Sequence, residues 1–154
     1  MIDKENAMQE LLAMYKNYCL ELDQYDDETY PAGQDEKVFR QYQQDKHTTI
    51  KHIAVDGKTA GFLIVINPHG STRELIIAEA YIKPEYRNKG WMAWAVQDTM
   101  TDSYTLVRMM TFNRNVKALP YWTRILSQYG FRLVAASEKY NDCLTEYIFA
   151  RDVK

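Results

Sequence analysis

The stretch that most constrains this chain runs from Glu79 to Met100, where an extended apolar segment passes through a basic turn into a helical pattern. The segment ends at Pro84, and the turn reads Arg87-Asn88-Lys89-Gly90. Four apolar positions then share one face of a helix: Trp91, Ala95, Val96 and Met100. A turn that opens a helix presents unpaired backbone N–H groups at the positive end of the helix dipole. The stretch therefore predicts a binding site for a ligand that carries phosphate.

Two features of the turn strengthen this anion site. Gly90 has no side chain, so the backbone can come close to a phosphate group. Arg87 and Lys89 add positive charge at the rim of the site. These residues indicate a ligand class, but they do not identify a reaction.

The pattern Ile82-x-Pro84-x-Tyr86-Arg87-x-x-Gly90 resembles motif A of the GCN5-related N-acetyltransferase (GNAT) superfamily. The family signature is Arg/Gln-x-x-Gly-x-Gly/Ala, whose amides hold the pyrophosphate of acetyl-CoA, and Met92 stands here in place of the last Gly or Ala. The family threads the pantetheine arm of acetyl-CoA between two strands, so by this resemblance the strand that ends at Lys83 should separate from the strand over 104–112. The backbone from Tyr81 to Lys83 should then pair with the cofactor as another strand would. The resemblance thus implies acetyl-CoA as the co-substrate. It also implies three sets of cofactor-binding residues: Tyr81, Ile82 and Lys83 on the strand, Arg87, Asn88, Lys89, Gly90, Trp91 and Met92 on the turn and helix, and Asn115.

A second part of the resemblance lies near the last helix. The family carries Asn-x-x-Ala, an aromatic pair that ends in Tyr, and Gly-Phe, and this chain has Asn115-x-x-Ala118, Tyr121-Trp122 and Gly130-Phe131. Trp122 stands at the usual Tyr position, and the interval to Gly130-Phe131 is several residues longer than usual.

The order of predicted elements matches that family over nearly the whole chain. An apolar stripe from Met8 to Leu22 predicts a first helix, which Asp3 can cap, and the remaining elements follow from periodicity and turn residues. They are a helix over 34–44, strands over 49–55, 59–66 and 74–82, the motif helix, a strand over 104–112, a helix over 116–129, and strands over 131–136 and 143–150. The resemblance implies an α/β (α+β) fold with a mixed, mostly antiparallel central sheet of six to seven strands flanked by about four helices.

Three local signals fix the turns between these elements. Asp56-Gly57 predicts a tight hairpin. Pro120 must sit in the first turn of its helix or mark the true start of that helix, because a deeper proline would break it. Gly130 predicts the cap that closes the same helix.

Length and composition exclude several classes of protein. A chain of 154 residues fits one domain over residues 1–154, and its net charge of -2 argues against nucleic-acid binding through a basic surface. The longest unbroken apolar run, Phe62 to Ile66, is too short to span a bilayer. Cys19 and Cys143 have no metal-ligand spacing and indicate reduced thiols in a cytoplasmic protein. These features leave open whether the chain is a monomer or a homodimer.

Acetyl transfer to an amine needs a group that takes the amine proton, and Glu79 is the first candidate. It lies on the strand before the turn, where many members of the family keep a Glu, and Glu74 is the alternative at the other end of the strand. A lone Glu between Ile76-Ile77-Ala78 and Ala80-Tyr81-Ile82 is costly to bury without a purpose or a partner. The competing interpretation is a structural Glu paired with a neighbour, and a perturbed pKa would separate the two.

The leaving thiolate needs a proton donor, which the resemblance implies is a Tyr. Trp122 has no labile proton, so the candidate is its neighbour Tyr121. The alternative is that both aromatic residues serve packing alone.

An acidic region between the first two helices could form one wall of an acceptor site. Its members are Glu21, Asp23, Asp26, Asp27, Glu28, Asp35 and Glu36. They favour a cationic amine as acceptor, although such acids are often ordinary solvated charges.

Three functional hypotheses follow from these residues. The first is an acetyl-CoA-dependent N-acetyltransferase that acts on a primary amine of a cationic small molecule or peptide, and the matches at Arg87, Gly90, Asn115 and Glu79 favour it. The second is a catalytically degenerate GNAT-fold protein that binds CoA or another ligand as a sensor or interaction module, which Met92 and Trp122 favour. The third is another phosphate-binding α/β protein, and the lack of a glycine-rich loop ending in Lys-Ser/Thr argues against it.

Overall fold

Four α-helices and six β-strands form within residues 4–25, 34–139 and 143–152, which are the residues that the computed structural model describes. The helices are α1 (Lys4–Leu22), α2 (Gln34–Gln44), α3 (Trp91–Thr99) and α4 (Ala118–Ser127). The strands are β1 (Thr48–Val55), β2 (Lys58–Ile66), β3 (Glu74–Ile82), β4 (Leu106–Phe112), β5 (Arg132–Lys139) and β6 (Leu144–Ala150). The predicted order of elements and the predicted fold class are confirmed. The predicted cap Asp3 and the acids Asp26, Asp27 and Glu28 lie outside the described residues.

One sheet holds all six strands in the order β1-β2-β3-β4-β6-β5. β1, β2 and β3 form the predicted antiparallel meander, and β6 inserts between β4 and β5 with antiparallel pairing on both sides. The pairing of β3 with β4 is parallel, and α3 provides the crossover between them. The sheet is therefore mixed and mostly antiparallel.

The turn residues act as their chemistry predicts. Asp56 and Gly57 have φ values of 51° and 77°, which is the backbone of a tight two-residue hairpin. Gly130 has a φ of 84° and follows α4, where the N–H of Phe131 donates to the carbonyl of Leu126 at 3.2 Å. Pro120 lies in the first turn of α4, as required.

Several element boundaries differ by a few residues from those predicted. α4 begins at Ala118 instead of Val116, because the N–H of Ala118 donates to the carbonyl of Asn115 in a preceding turn. β4 begins at Leu106 instead of Tyr104, and β5 extends to Lys139 instead of Ala136. None of these differences moves a candidate site residue to another element.

Two hydrophobic cores lie on opposite faces of the sheet. Under α3 and α4, the core includes Leu75, Ile77, Met92, Trp122 and Phe149. Under α1 and α2, a smaller core includes Leu11, Tyr15, Phe39, Phe62 and Ile64. Within the described part of the chain, no helix is both long enough and apolar enough to cross a membrane.

Gly61 allows β2 and β3 to approach closely beside the candidate site. A Cβ at this position would lie 2.2 Å from the backbone oxygen of Tyr81 and 2.8 Å from Cδ1 of Ile82. Because a backbone oxygen cannot rotate away, we expect Gly61→Ala to lower the free energy of unfolding by about 1–3 kcal/mol in urea denaturation. Gly57→Asn is the control, because that turn glycine has open space around it and Asn tolerates positive φ. Equal losses in the two variants would contradict close approach as the cause.

Candidate active site

The candidate site forms where β3 and β4 separate. The two strands bond to each other from the pair Glu74–Leu106 to the pair Ile77–Met109. Beyond Ile77 and Met109 they no longer bond to each other, although β3 continues to Ile82 and β4 to Phe112. This confirms the predicted separation of the two strands. The unpaired edges of β3 and β4 form an opening in an otherwise continuous sheet.

Two clefts meet at this opening. The large cleft has a volume of about 660 Å³ and is lined by the end of β3, the turn before α3 and the start of α4. The small cleft has a volume of about 470 Å³ and lies over β3, β4 and β6. Six residues line both clefts: Tyr18, Leu22, Ala80, Asn115, Ala118 and Trp122. The shared lining makes a passage through which groups bound in the two clefts can meet.

The large cleft contains most of the predicted cofactor-binding residues. Its lining includes Tyr81, Ile82, Arg87, Asn88, Gly90, Trp91, Met92 and Asn115. Lys83 and Lys89 are absent from the lining, and the N–H of Lys83 donates to the carbonyl of Ala60 at 2.8 Å. The N–H of Lys83 is therefore already bonded within the protein, and pairing of the backbone from Tyr81 to Lys83 with the cofactor stays a prediction.

The turn before α3 has the backbone shape of an anion site. Asn88 and Gly90 adopt positive φ values of 62° and 83°, so successive N–H groups can point into one concavity. Gly90 is the N-cap of α3, and its missing Cβ would meet no atom within 4 Å. The first N–H groups of α3 are left without partners inside the helix.

Met92 does not obstruct this turn. Its side chain is buried, with 4% of its surface exposed, and it packs in the core under α3. The departure from the Gly or Ala of the family signature thus adds volume to the core side of the helix. Trp91 is placed differently, since its Nε1 is buried beside the large cleft and has no hydrogen-bond partner among the described residues.

Arg87 is already engaged by protein groups. Its guanidinium forms an ion pair with Glu21 at 2.9 Å and donates from Nε to the carbonyl of Ile82 at 2.8 Å. Its Cζ also lies 5.5 Å from the ring centroid of Tyr81. These contacts hold the guanidinium at the edge of the cleft and link the end of α1 to the turn.

Two cationic residues of the large cleft were missed in the sequence. Lys117, the N-cap of α4, and Arg124, in its last turn, also line this cleft. They lie seven residues apart, so they share one face of the helix, and that spacing is the signal that could have revealed them. Among the described residues of this cleft, Arg87, Lys117 and Arg124 are cationic and Glu21 is the carboxylate, so their charge is mainly positive.

Glu79 reaches the small cleft because of a β-bulge. Ile64 pairs with Glu79 and Val65 pairs with Ile77, so Ala78 is the extra residue on β3. Strict alternation would place Glu79 on the same face as Leu75 and Ile77, in the core under α3. The bulge turns it to the opposite face, toward α1.

The surroundings of Glu79 raise its pKa. Burial raises the pKa of its carboxyl to about 7, the negative charge of Asp35 adds to this effect, and a hydrogen bond from the hydroxyl of Tyr15 opposes it. Oε2 of Glu79 is buried and has no partner within the described residues. An unpartnered buried carboxylate oxygen is costly, so the pattern favours a functional role over a purely structural pair.

Glu74, the alternative base, has other partners. Its carboxylate bonds with Nε of Arg108, and it does not line the small cleft. Of the two candidate bases, Glu79 is therefore the one that lines the small cleft.

Tyr121 and Trp122 have different environments. Trp122 is 8% exposed and belongs to the core under α4, whereas Tyr121 is 36% exposed and lines only the large cleft. The ring of Tyr121 packs edge-on against Trp122, at 5.4 Å between centroids, and Cζ of Arg124 lies 5.8 Å from the Tyr121 ring centroid. Burial raises the pKa of Tyr121, which keeps its phenol protonated.

The model of one protein family covers most of this chain. The family of acetyltransferases known as GNAT matches residues 8–126. The chain belongs to this family. It is therefore a GNAT-type N-acetyltransferase, and the departures at Met92 and Trp122 occur within an enzyme family.

Solved structures share this fold at low sequence identity. An acetyltransferase from Thermus thermophilus has a TM-score of 0.63 at 13% identity, over 96% of this chain and 92% of its own. The ribosomal-protein-S18-alanine N-acetyltransferase from Escherichia coli has a TM-score of 0.60 at 15% identity, over 99% and 90%. A diaminobutyrate acetyltransferase from Paenibacillus lautus, solved with L-2,4-diaminobutyric acid and coenzyme A, has a TM-score of 0.55 at 8% identity, over 63% and 66%. Among curated proteins, none matches this chain by sequence.

The sequence also did not reveal that tyrosines of α1 and α2 belong to this GNAT site. The sequence placed Tyr15 and Tyr18 in an apolar core stripe, yet Tyr15 bonds to Glu79 and Tyr18 lines both clefts. Tyr42 of α2 lines the small cleft as well. Hydroxyl groups recurring in an otherwise apolar stripe were the available signal, because a buried hydroxyl needs a partner.

Four members of the predicted acidic wall lie within the described residues: Glu21, Asp23, Asp35 and Glu36. Glu21 lines the large cleft and is paired with Arg87, while Glu36 is paired with Arg40 and Lys16 on the surface. Asp35 is the acid that acts on the site, through its effect on the pKa of Glu79.

Proposed function

We propose that this protein transfers the acetyl group of acetyl-CoA to a primary amine, with the cofactor in the large cleft and the amine in the small cleft. The observation that carries the proposal is the position of two buried polar atoms, Nε1 of Trp91 and Oε2 of Glu79, that have no hydrogen-bond partner among the described residues. One lies beside each cleft, and the clefts meet between them. Because native proteins rarely leave such atoms unpaired, both are best explained as contacts to bound molecules.

The residues of the large cleft fit acetyl-CoA. Its phosphates require N–H donors and positive charge, and the start of α3, Arg87, Lys117 and Arg124 supply both. Nε1 of Trp91 is a further donor. When bound, acetyl-CoA supplies an activated acetyl group as a thioester.

The small cleft fits an amine. An alkyl amine is mostly protonated at neutral pH, since the ordinary pKa of such a group is about 10.4. A carboxylate attracts the ammonium form and can also accept its proton, which frees the nitrogen lone pair for attack. Glu79 lines the cleft that we assign to the amine, so it can serve in both roles. A pKa of about 7 makes it a better base than an ordinary Glu.

A proton must also reach the thiol that leaves. Tyr121 is our proposed donor, because it is the phenol of α4 that lines the large cleft. Its raised pKa keeps the proton available at neutral pH. Tyr18, which lines both clefts, is the competing phenol.

The proposal includes a cytoplasmic location. The two cysteines, Cys19 and Cys143, lie far apart in the sequence and fit the reduced thiols of such a compartment.

Cofactor binding tests the first half of the proposal. We expect CoA to raise the melting temperature of the protein by ligand linkage, and Arg87→Ala to weaken this effect more than Lys89→Ala. Arg87 lines the large cleft and can make paired contacts with phosphate, whereas Lys89 lies outside the lining. Thermal unfolding with increasing CoA measures both, and inorganic phosphate at the same concentration is the control. An unchanged melting temperature at saturating CoA would refute the cofactor site.

A further inference from the structure

We propose that the acceptor carries a second positive charge, and that Glu146 is the specificity-determining residue that recognises it. This inference rests on the proposed function, because it assigns a substrate class to the small cleft. Among the described residues, the charged side chains that line the cleft are Glu79, Arg108 and Glu146.

The cationic side chain of this cleft, Arg108, is already paired with carboxylates of the protein. Nε of Arg108 bonds closely with the carboxylate of Glu74, on the neighbouring strand. Nη1 of Arg108 lies 3.7 Å from Oε1 of Glu146, which is an ion pair but is too long for a hydrogen bond. Arg108 is therefore committed to Glu74, and Glu146 remains able to accept hydrogen bonds from another cation.

Glu146 is accessible from the cleft. Its side chain is 26% exposed and lines the small cleft. No hydrogen bond to its carboxylate is found within the described ranges. A half-buried carboxylate of this kind attracts an ammonium group more strongly than a fully solvated one, because water screens it less.

The sheet register places Glu146 and Glu79 along one surface. Glu146 pairs with Met110 and Ile148 pairs with Arg108, so these four alternating positions share a face of β4 and β6. Ile76 pairs with Arg108 across β3 and β4, which extends the same face to β3. The bulge at Ala78 then brings Glu79 to that side.

The surface between the two carboxylates is apolar. Ile76 and Met110 line the small cleft, and Met110 is 47% exposed. An acceptor that fits has one nitrogen at Glu79, an alkyl segment over Ile76 and Met110, and a second ammonium at Glu146. An aliphatic diamine or polyamine has this arrangement of groups.

The competing acceptor is an amino acid whose carboxylate binds Arg108. The close bond between Arg108 and Glu74 disfavours it, since a substrate carboxylate would have to displace Glu74 or approach Glu146. The small cleft contains more carboxylate than cationic charge, which also disfavours an anion.

Three acceptors of similar length test the proposal: 1,4-diaminobutane, butylamine and 4-aminobutanoate. We expect the protein to favour the diamine over butylamine by roughly tenfold in kcat/KM, a preference that salt weakens. Glu146→Gln should bring that ratio close to one. Glu138→Gln is the matched control, because Glu138 is an exposed carboxylate on the adjacent β5 that pairs with Thr145 and lies outside both clefts. Its ratio should equal that of the parent.

A binding measurement separates this inference from the proposed function. The shift in melting temperature with 1,4-diaminobutane alone reports binding without turnover, and Glu146→Gln should reduce that shift. If no amine is acetylated but the diamine binds through Glu146, the proposed function fails and the charge recognition stands. Equal kcat/KM for diamine and butylamine, a ratio unchanged by Glu146→Gln, or a preference for 4-aminobutanoate would each overturn the inference.

Discussion

Glu79→Gln is expected to lower kcat by about 10²–10⁴-fold while leaving the affinity for CoA nearly intact. Gln keeps the shape of the side chain and the hydrogen bond with Tyr15, but it cannot accept a proton from the amine. Steady-state release of free thiol gives the rate, and thermal unfolding with CoA gives the affinity. Glu74→Gln is the matched control, since Glu74 lies on the same strand and does not line the small cleft.

The pH dependence of the parent protein should have its acid limb near neutrality. Burial raises the pKa of Glu79 to about 7, and a general base works only when it is deprotonated. The rate should therefore fall as the pH drops through about 7 and level off above it, and Glu79→Gln should remove this limb. A fully active Glu79→Gln together with an inactive Glu74→Gln would show that Glu74 is the base.

Tyr121→Phe is expected to lower kcat by about 10²-fold and to leave the free energy of unfolding unchanged. The substitution removes one hydroxyl from a side chain that is 36% exposed, so packing should be retained. Trp122→Phe should show the opposite pattern, with a loss of about 1–3 kcal/mol in stability and a smaller change in rate, because Trp122 is buried in the core. Urea denaturation and thiol release on both variants measure the two effects.

Tyr18→Phe decides between the two phenols. Tyr18 lines both clefts, and burial raises the pKa of its hydroxyl. An active Tyr121→Phe with a slow Tyr18→Phe would assign the proton donor to α1 instead of α4.

The fold followed from the sequence where local chemistry decides the backbone. Asp56-Gly57, Pro120 and Gly130 all act in their turns as predicted, because positive φ and a fixed proline ring leave few alternatives. The backbone of the turn before α3 also followed from its sequence, since Gly90 adopts the positive φ that only glycine takes easily.

The environments of Glu79 and Glu21 could not be predicted from the sequence, because they depend on contacts between distant parts of the chain. The bulge at Ala78 is set by how β2 and β3 pair, and it alone sends Glu79 toward α1. The bond from Tyr15 to Glu79 joins residues on a helix and a strand that are far apart in sequence. The pair between Glu21 and Arg87 is of the same kind, and it holds Glu21 in the lining of the large cleft.

Mass spectrometry of an amine incubated with the protein and acetyl-CoA is the most direct test of the central claim. The account predicts a product that carries one added acetyl group, formed by the parent protein and by Glu74→Gln but at least about 10²-fold more slowly by Glu79→Gln. If CoA raises the melting temperature and yet monoamines, diamines and peptide amines all remain unmodified, the clefts bind without transfer and the claim is contradicted.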